Sequence, residues 1–365
     1  MKIAVDFREA VKPSRAGKGE YVYELIKAWL QVIDKDVELI LLTGAGQKIN
    51  LPKGRWRQKS FSRGWLWHKL VWLWLEFARP VDFYFATTSF IVPAFLRSTP
   101  VITTIFDFTV WRHLYSKTKV NLLEKILAGP AMRFSRHLIA ISEFTKQEAV
   151  KLFKIAPSKI DVIYLGAGSQ YRPFKLSEEQ KRSLHRKYNL PSRFILYLGT
   201  LEPRKNILNI IRAFQQVKPE IKNTKLVLAG SWGWQANEIK QAIKTHEVIH
   251  IGYVEYSDKP AIYNLASVFV FPSYYEGFGL PPLEAMACGI PTIVSDAASL
   301  PEIVEDAAIV VAPNDAEGMA RQIKEILSNT IFSRRLHAKG IERAKQFNWK
   351  DTAQQTQAVF KKQSW

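Results

Sequence analysis

The stretch SVFVFPSYYEGFGLPPLEAMACGIPTIVS, residues 267–295, changes character three times. SVFVFPS is an apolar, β-rich run that reads as a buried strand ending at Ser273. YYEGFGLPP carries Gly277, Gly279 and two prolines, and so reads as the loop at that strand's carboxyl end. LEAMA then reads as a short helix beginning around Pro282 and closed by Gly289 in the C′ position, before PTIVS resumes as a strand. A strand, a glycine-rich loop, a helix and a strand make one βα step of a parallel sheet. Two carboxylates flank the loop: Glu276 on it and Glu284 in the first helical turn.

The same rhythm runs through the chain. KIAVDF (2–7), VELILLTG (37–44), VDFYFAT (81–87), PVITTIFD (100–107), HLIAIS (137–142) and KIDVIYLG (159–166) read as strands separated by helix-length segments. FILYLGT (194–200), KLVLAG (225–230), VIHIGYV (248–254), SVFVFPS, PTIVS and AAIVVAP (307–313) form a second set. The polar stretch between them reads as a junction. The expected organisation is an α/β protein with two Rossmann-like, doubly wound domains: residues 1–170, a linker at 171–192, a second domain at 193–348, and a C-terminal helix at 349–365. Ligands of such sheets lie outside the carboxyl ends of the strands, so the default site is a cleft between the domains.

A length of 365 residues suits two cores of ordinary size. The single Cys288 excludes an intramolecular disulfide framework and suits a reducing, cytoplasmic compartment. Asp6, Arg8 and Glu9 interrupt the N-terminus where a signal peptide needs an apolar run. The net charge of +19, from 52 Lys and Arg against 33 Asp and Glu, points to an anionic partner. Much of it is local, because residues 51–80 hold Lys53, Arg55, Arg57, Lys59, Arg63, Lys69 and Arg79 against Glu76 alone, with five of the eleven tryptophans. Two readings of residues 54–80 stand: a helix lying peripherally on an anionic membrane surface, or an apolar helix packed in the core. No RNA-binding or helix-turn-helix motif organises the cations, so nucleic acid is not expected as a partner.

Gly277 and Gly279 let a ligand approach the backbone at a helix N-terminus, where amide groups and the helix dipole favour an anion such as phosphate. Acidic residues at a helix start also stabilise it by about 0.3–1 kcal/mol, which is the plain alternative for Glu284. The loop LEPRKN places Arg204 and Lys205 after the first strand of the second domain. Cations at that end of a helix oppose its dipole, so a diphosphate ligand explains them better than helix stability does. His68, His113, His137, His185, His246, His250 and His337 show no metal-ligand spacing and read as surface or packing residues. No metal site is expected, and Cys288 reads as a buried thiol.

FPSYYEGFGLPPLEAMACGIPTIVSDAASLPEIVEDAAIVVAP (271–313), with its glutamate, seven residues, glutamate pattern, resembles the donor-binding segment of the family-four retaining glycosyltransferases, which implies the GT-B fold, two domains facing a central cleft, with the C-terminal helix crossing back to the first domain. LGTLEPRKN (198–206), LVLAGSWGW (226–234) and HLIAISEFTKQE (137–148) are similar to family segments as well. The resemblance implies that Glu284 holds ribose hydroxyls of a nucleotide sugar, that Glu276 contacts the donor sugar, and that Arg204 and Lys205 neutralise the departing diphosphate. It further implies donor contacts from backbone amides of Phe278, Gly279 and Leu280, with Gly199 and Gly230 allowing close approach. Base contacts fall around Tyr253 and Val254. GKGEYVYEL (17–25) resembles the family's glycine-rich loop and puts Gly17 and Gly19 near phosphates and acceptor.

One departure stands out. Many relatives carry a His before the Asp that is here Asp107, and this chain has Phe106; Asp107 is then expected to orient the acceptor. The expected activity is metal-independent transfer, with retention, of a hexose (mannose ahead of others) from a GDP- or UDP-linked sugar to a glycan or lipid-linked acceptor in envelope polysaccharide synthesis. No cofactor is expected beyond that donor substrate. The alternatives are a GT-B nucleotide-sugar epimerase and, because of Phe106, a catalytically inert GT-B scaffold subunit.

Overall fold

A computed structural model describes the chain apart from residues 13, 14, 16, 63, 65, 113–118 and 365 and the side chains of 119–121. Arg63 and His113, singled out above, and Trp65, one of the five tryptophans of residues 51–80, lie outside the described residues. The chain forms two compact units, Met1–Gly166 with Asn348–Trp365, and Ala167–Phe347.

The first unit runs β1 (Lys2–Asp6), α1 (Lys18–Val32), β2 (Glu38–Gly44), β3 (Trp56–Phe61), α2 (Leu66–Ala78), β4 (Phe83–Ala86), α3 (Ile91–Phe95), β5 (Val101–Ile105), α4 (Lys119–Phe134), β6 (His137–Ala140), α5 (Glu143–Phe153) and β7 (Ile160–Val162). Its parallel sheet has the order β3-β2-β1-β4-β5-β6-β7. Inner strands such as β4 and β5 are buried at every residue, as a sheet covered on both faces requires. The chain leaves β1 for β2 on one side and returns to β4 on the other, so the direction of winding reverses between β1 and β4.

The strand β3 lay hidden in the basic, tryptophan-rich segment. Its sequence, WRQKSF, is polar because an edge strand pairs on one side only, and its cations keep the open edge from recruiting another strand. The helix within 54–80 is therefore only α2. Trp67, Val71 and Leu75, four residues apart, face inward and pack with Ile40, Tyr84 and Val101. Leu66, Leu70 and Phe77 are 47, 37 and 73 % exposed. One face of this helix is therefore core, and the opposite face is exposed.

The second unit runs α6 (Glu178–Tyr188), β8 (Phe194–Leu198), α7 (Ile207–Val217), β9 (Lys225–Ala229), α8 (Asn237–Thr245), β10 (Ile249–Gly252), α9 (Lys259–Leu265), β11 (Val268–Phe271), α10 (Leu280–Ala287), β12 (Thr292–Ser295), α11 (Leu300–Val304), β13 (Ile309–Val311), α12 (Ala316–Ser328) and α13 (Thr330–Lys345). Its sheet has the order β10-β9-β8-β11-β12-β13, and the winding reverses between β8 and β11. The stretch read as a linker, 171–192, belongs to this unit. It contains α6, started by a Ser177/Gln180 capping box and tied down where Tyr188 and Lys187 both bond Asp258. α10 begins at Leu280, ahead of the expected Pro282, because prolines are tolerated in a first helical turn.

The last helix, α14 (Trp349–Lys362), belongs to the first unit. Phe360 is fully buried among Trp29, Phe83 and Phe85, with ring centroids 5.5, 5.5 and 5.3 Å away. Gln357 accepts from the Trp29 indole at 2.9 Å and donates to Asp34 at 2.9 Å.

Candidate active site

In the second unit, the loops after β8 and β11 lie side by side at the point where the winding reverses, the usual location of a ligand crevice. The β8 loop supplies Glu202, Arg204 and Lys205, and the β11 loop supplies Tyr275 and Glu276. Arg204 grips Glu202 Oε1 through Nε and Nη2 at 3.1 and 2.7 Å, donates from Nη1 to the Tyr275 carbonyl at 2.7 Å, and lies 3.3 Å from Glu276. Lys205 Nζ meets Glu276 Oε1 at 2.5 Å and sits 5.0 Å from the Phe271 ring centroid. Three of the four expected catalytic residues, Arg204, Lys205 and Glu276, thus converge.

All four charged side chains here are only 9–13 % exposed. Burial, together with the neighbouring Arg204 charge, holds the Lys205 ammonium below its usual pKa despite the opposing pull of Glu276. Burial pushes the Glu276 carboxyl up, but Lys205 and Arg204 more than reverse this and leave it below the ordinary carboxylate value. Two cations balance two carboxylates. An incoming diphosphate would compete with Glu276 for the same cations.

Ser299, fully buried, donates to the carbonyls of both Glu276 and Phe278 and so fixes the EGFG loop. Phe278 packs on Phe347 with centroids 6.0 Å apart, which locates it as an anchor of the loop. Gly279 sits at φ +111° as the N-cap of α10, and an added Cβ would lie 2.7 Å from Leu300. Pro281 and Pro282 have no N–H, so an anion at this helix end meets only the amides of Gly277 to Leu280 and that of Leu283, which already bonds the Gly279 carbonyl.

Glu284 is buried and accepts from the Tyr263 hydroxyl at 2.9 Å. Burial holds its carboxyl above the ordinary value, against the pull of Lys259 and of the Tyr263 and Tyr171 hydroxyls. Gly199 and Gly230 do permit a close approach, but to one another: a Cβ on Gly230, which has φ +139°, would lie 1.9 Å from the Gly199 carbonyl oxygen. Val254 is buried and Tyr253 is 46 % exposed in the loop after β10. Burial raises the Cys288 thiol well above its usual pKa, which suits an inert core residue. Among the described residues, no cluster of three His, Cys, Asp or Glu side chains could hold a metal ion.

Asp107, Gly17 and Gly19 belong to the first unit. Asp107 Oδ1 accepts from Thr109 N and Oγ1 at 2.9 and 2.5 Å, starting the turn after β5. Phe106 meets Tyr21 edge-on with ring centroids 5.0 Å apart. Gly17 caps α1 at φ +38°, and Gly19 packs so tightly that a Cβ would lie 2.6 Å from the Glu9 carbonyl oxygen. Sequence reading passed over Glu202, Tyr263 and Ser299. Only Glu202 carried a usable signal, standing two residues before Arg204 in the same loop.

Two Rossmann-like α/β units, the second with a buried cluster of opposed charges at its switch point, define the architecture of a GT-B protein. The chain matches the family described as Glycosyltransferase Family 4 over residues 16–168 and Glycosyl transferases group 1 over residues 180–346. It is 30% identical to O-antigen chain mannosyltransferase B of Escherichia coli, over 97% of this chain and 98% of that protein. The fold is shared with the sucrose-phosphate synthase of Thermosynechococcus elongatus (TM-score 0.80, 20% identity, 99% of this chain and 98% of that one). It is also shared with Anabaena HepE, solved in complex with UDP-glucose (TM-score 0.79, 19% identity, 99% and 100%). The chain belongs to the family-four glycosyltransferases and has the GT-B fold.

Proposed function

We propose that this glycosyltransferase moves mannose, with retention and without a metal ion, from GDP-mannose to a glycan or lipid-linked acceptor in cell-envelope polysaccharide synthesis. The observation that carries the reading is the convergence of Arg204 and Lys205 on Glu276 where the second sheet reverses its winding. Mannose is favoured by the O-antigen mannosyltransferase, a relative aligned along nearly the whole chain. Breaking a glycosyl–phosphate bond builds positive charge on the anomeric carbon and negative charge on the phosphate. Two preorganised, poorly solvated protein cations stabilise that phosphate, the task a divalent ion performs in other transferases. Glu284, in hydrogen-bond contact with Tyr263, is the residue assigned to the ribose.

The exposed residues of α2, with Lys59, Lys69 and Arg79 near them in sequence, support a peripheral contact with anionic lipid. Among the described residues, no helix is long and apolar enough to cross a membrane. The donor reading is tested by melting the purified protein with excess GDP, UDP, ADP and dTDP, since a bound ligand raises apparent stability. The expected result is a rise with GDP that disappears in Glu284→Ala. A rise of equal size with all four, or none with any, would contradict it.

A further inference from the structure

Glu202 is the fourth charged side chain of the cluster at the second sheet's switch point, and its ionic partner is Arg204. It is buried, and it stands in extended backbone just before the one-turn helix Pro203–Lys205. Its Oε1 accepts two hydrogen bonds from one edge of the guanidinium, from Nε at 3.1 Å and Nη2 at 2.7 Å. The remaining nitrogen, Nη1, lies on the other edge and reaches the Tyr275 carbonyl and Glu276. Arg204 is thus clamped along one edge and presented along the other.

The backbone that carries Glu202 is tied to the loop after β9. The Leu201 amide donates to the Ser231 carbonyl and the Leu201 carbonyl accepts from Gly233, both at 2.9 Å. Gly233 also closes over the side-chain stem, where an added Cβ would lie 2.8 Å from the Glu202 Cβ. Glu202 is therefore placed by its surroundings, and Arg204 by Glu202. Stability explains the pair poorly, because buried ion pairs are commonly no more stabilising than apolar residues of the same shape. Ligand affinity explains it no better, since a carboxylate beside a diphosphate site repels the ligand. What the pair does supply is a cation whose direction is set before any ligand arrives, and preorganised donors are what stabilise a developing charge.

We infer that Glu202 is a positioning residue for glycosyl transfer, holding Arg204 with Nη1 turned to the diphosphate that leaves. The diphosphate competes with Glu276 for Arg204 and Lys205, but it meets the guanidinium on the edge away from Glu202, so the clamp persists through the reaction. As the bond between the anomeric carbon and the phosphate oxygen breaks, its electron pair stays on that oxygen, and Arg204 meets the new charge without turning. Glu202 itself touches neither sugar nor phosphate and acts through Arg204. This inference rests on the transferase reading and on Arg204 as a diphosphate ligand, but not on which nucleotide the donor carries.

The test is a double-mutant cycle in the full chain, reading single-turnover cleavage of GDP-mannose and of UDP-glucose alongside calorimetric titration with GDP and UDP. Glu202→Ala is expected to slow cleavage about 10- to 100-fold, the scale of hydrogen bonds made by a charged group. It should bind the nucleotide at least as tightly as wild type, because a repelling charge is gone. Glu202→Gln keeps an acceptor for the same two donors and should recover most of the rate. Adding Glu202→Ala to Arg204→Ala should slow cleavage no further, whereas a residue that only supported the fold would lower the rate in both backgrounds alike. A wild-type rate in Glu202→Ala, an affinity that falls in step with the rate, a Gln variant as slow as the Ala one, or an additive loss in the double variant would overturn the inference. Cleavage of UDP-glucose in place of GDP-mannose by wild type would instead count against the donor reading alone, with the cycle read on that donor. Cleavage of neither would overturn both.

Discussion

Glu284 shows how one side chain can be set against the stability of its own fold. It is buried at 6 % exposure, with the Tyr263 hydroxyl at 2.9 Å, and burial keeps its pKa above the unfolded value. A carboxyl raised in this way contributes stability that is complete below the unfolded pKa and is lost as pH rises through the folded one. Glu284→Gln keeps the acceptor for Tyr263 and removes the charge. The ligand-free variant should therefore melt above wild type at about pH 8, with the gain fading as pH falls towards the ordinary glutamate value of about 4.3. Calorimetry across that range checks it, and a difference independent of pH would contradict it. The eight-residue spacing of Glu276 and Glu284 was legible in the sequence. Their surroundings were not, because Glu202, Ser299 and Tyr263 come from three other segments whose meeting depends on the fold.

At the scale of elements, the buried strands declared themselves through unbroken apolar runs, as FILYL and VFVF did for β8 and β11. β3 did not, since an edge strand one residue from solvent can afford WRQKSF. α6 was misplaced in a linker because its exposed, highly charged sequence gives little sign of the contacts that Tyr188 and Lys187 make with Asp258. The loops at the carboxyl ends of β8 and β9 are locked together by glycine. Gly230→Ala would put a Cβ 1.9 Å from the Gly199 carbonyl in a backbone conformation that disfavours side chains, and should destabilise the protein by about 1–3 kcal/mol or more. Denaturant unfolding measures this. A loss within about 0.5 kcal/mol, the range of an ordinary surface change, would show that these loops can part freely.

For the whole molecule, the chain closes its first unit with its last helix, whose Phe360 fills the space between Trp29 and Phe85. This is the crossing back to the first domain that the family resemblance implies, although nothing local in the helix's own sequence says which unit it joins. The same unit carries Leu66, Leu70 and Phe77 on one side of α2. The full chain should therefore float with anionic vesicles at low salt, and Leu70→Asp with Phe77→Asp should leave it in the unbound fraction; flotation unaffected by that double change would remove the surface from consideration. The central claim, that Arg204 and Lys205 stabilise the departing diphosphate, is met most directly by the single-turnover rate of GDP-mannose cleavage in Lys205→Met against wild type. The account predicts a fall of about 10²–10³, the usual cost of one preorganised electrostatic contact to a developing charge, with GDP still bound. An unchanged rate in a variant that binds GDP would contradict it.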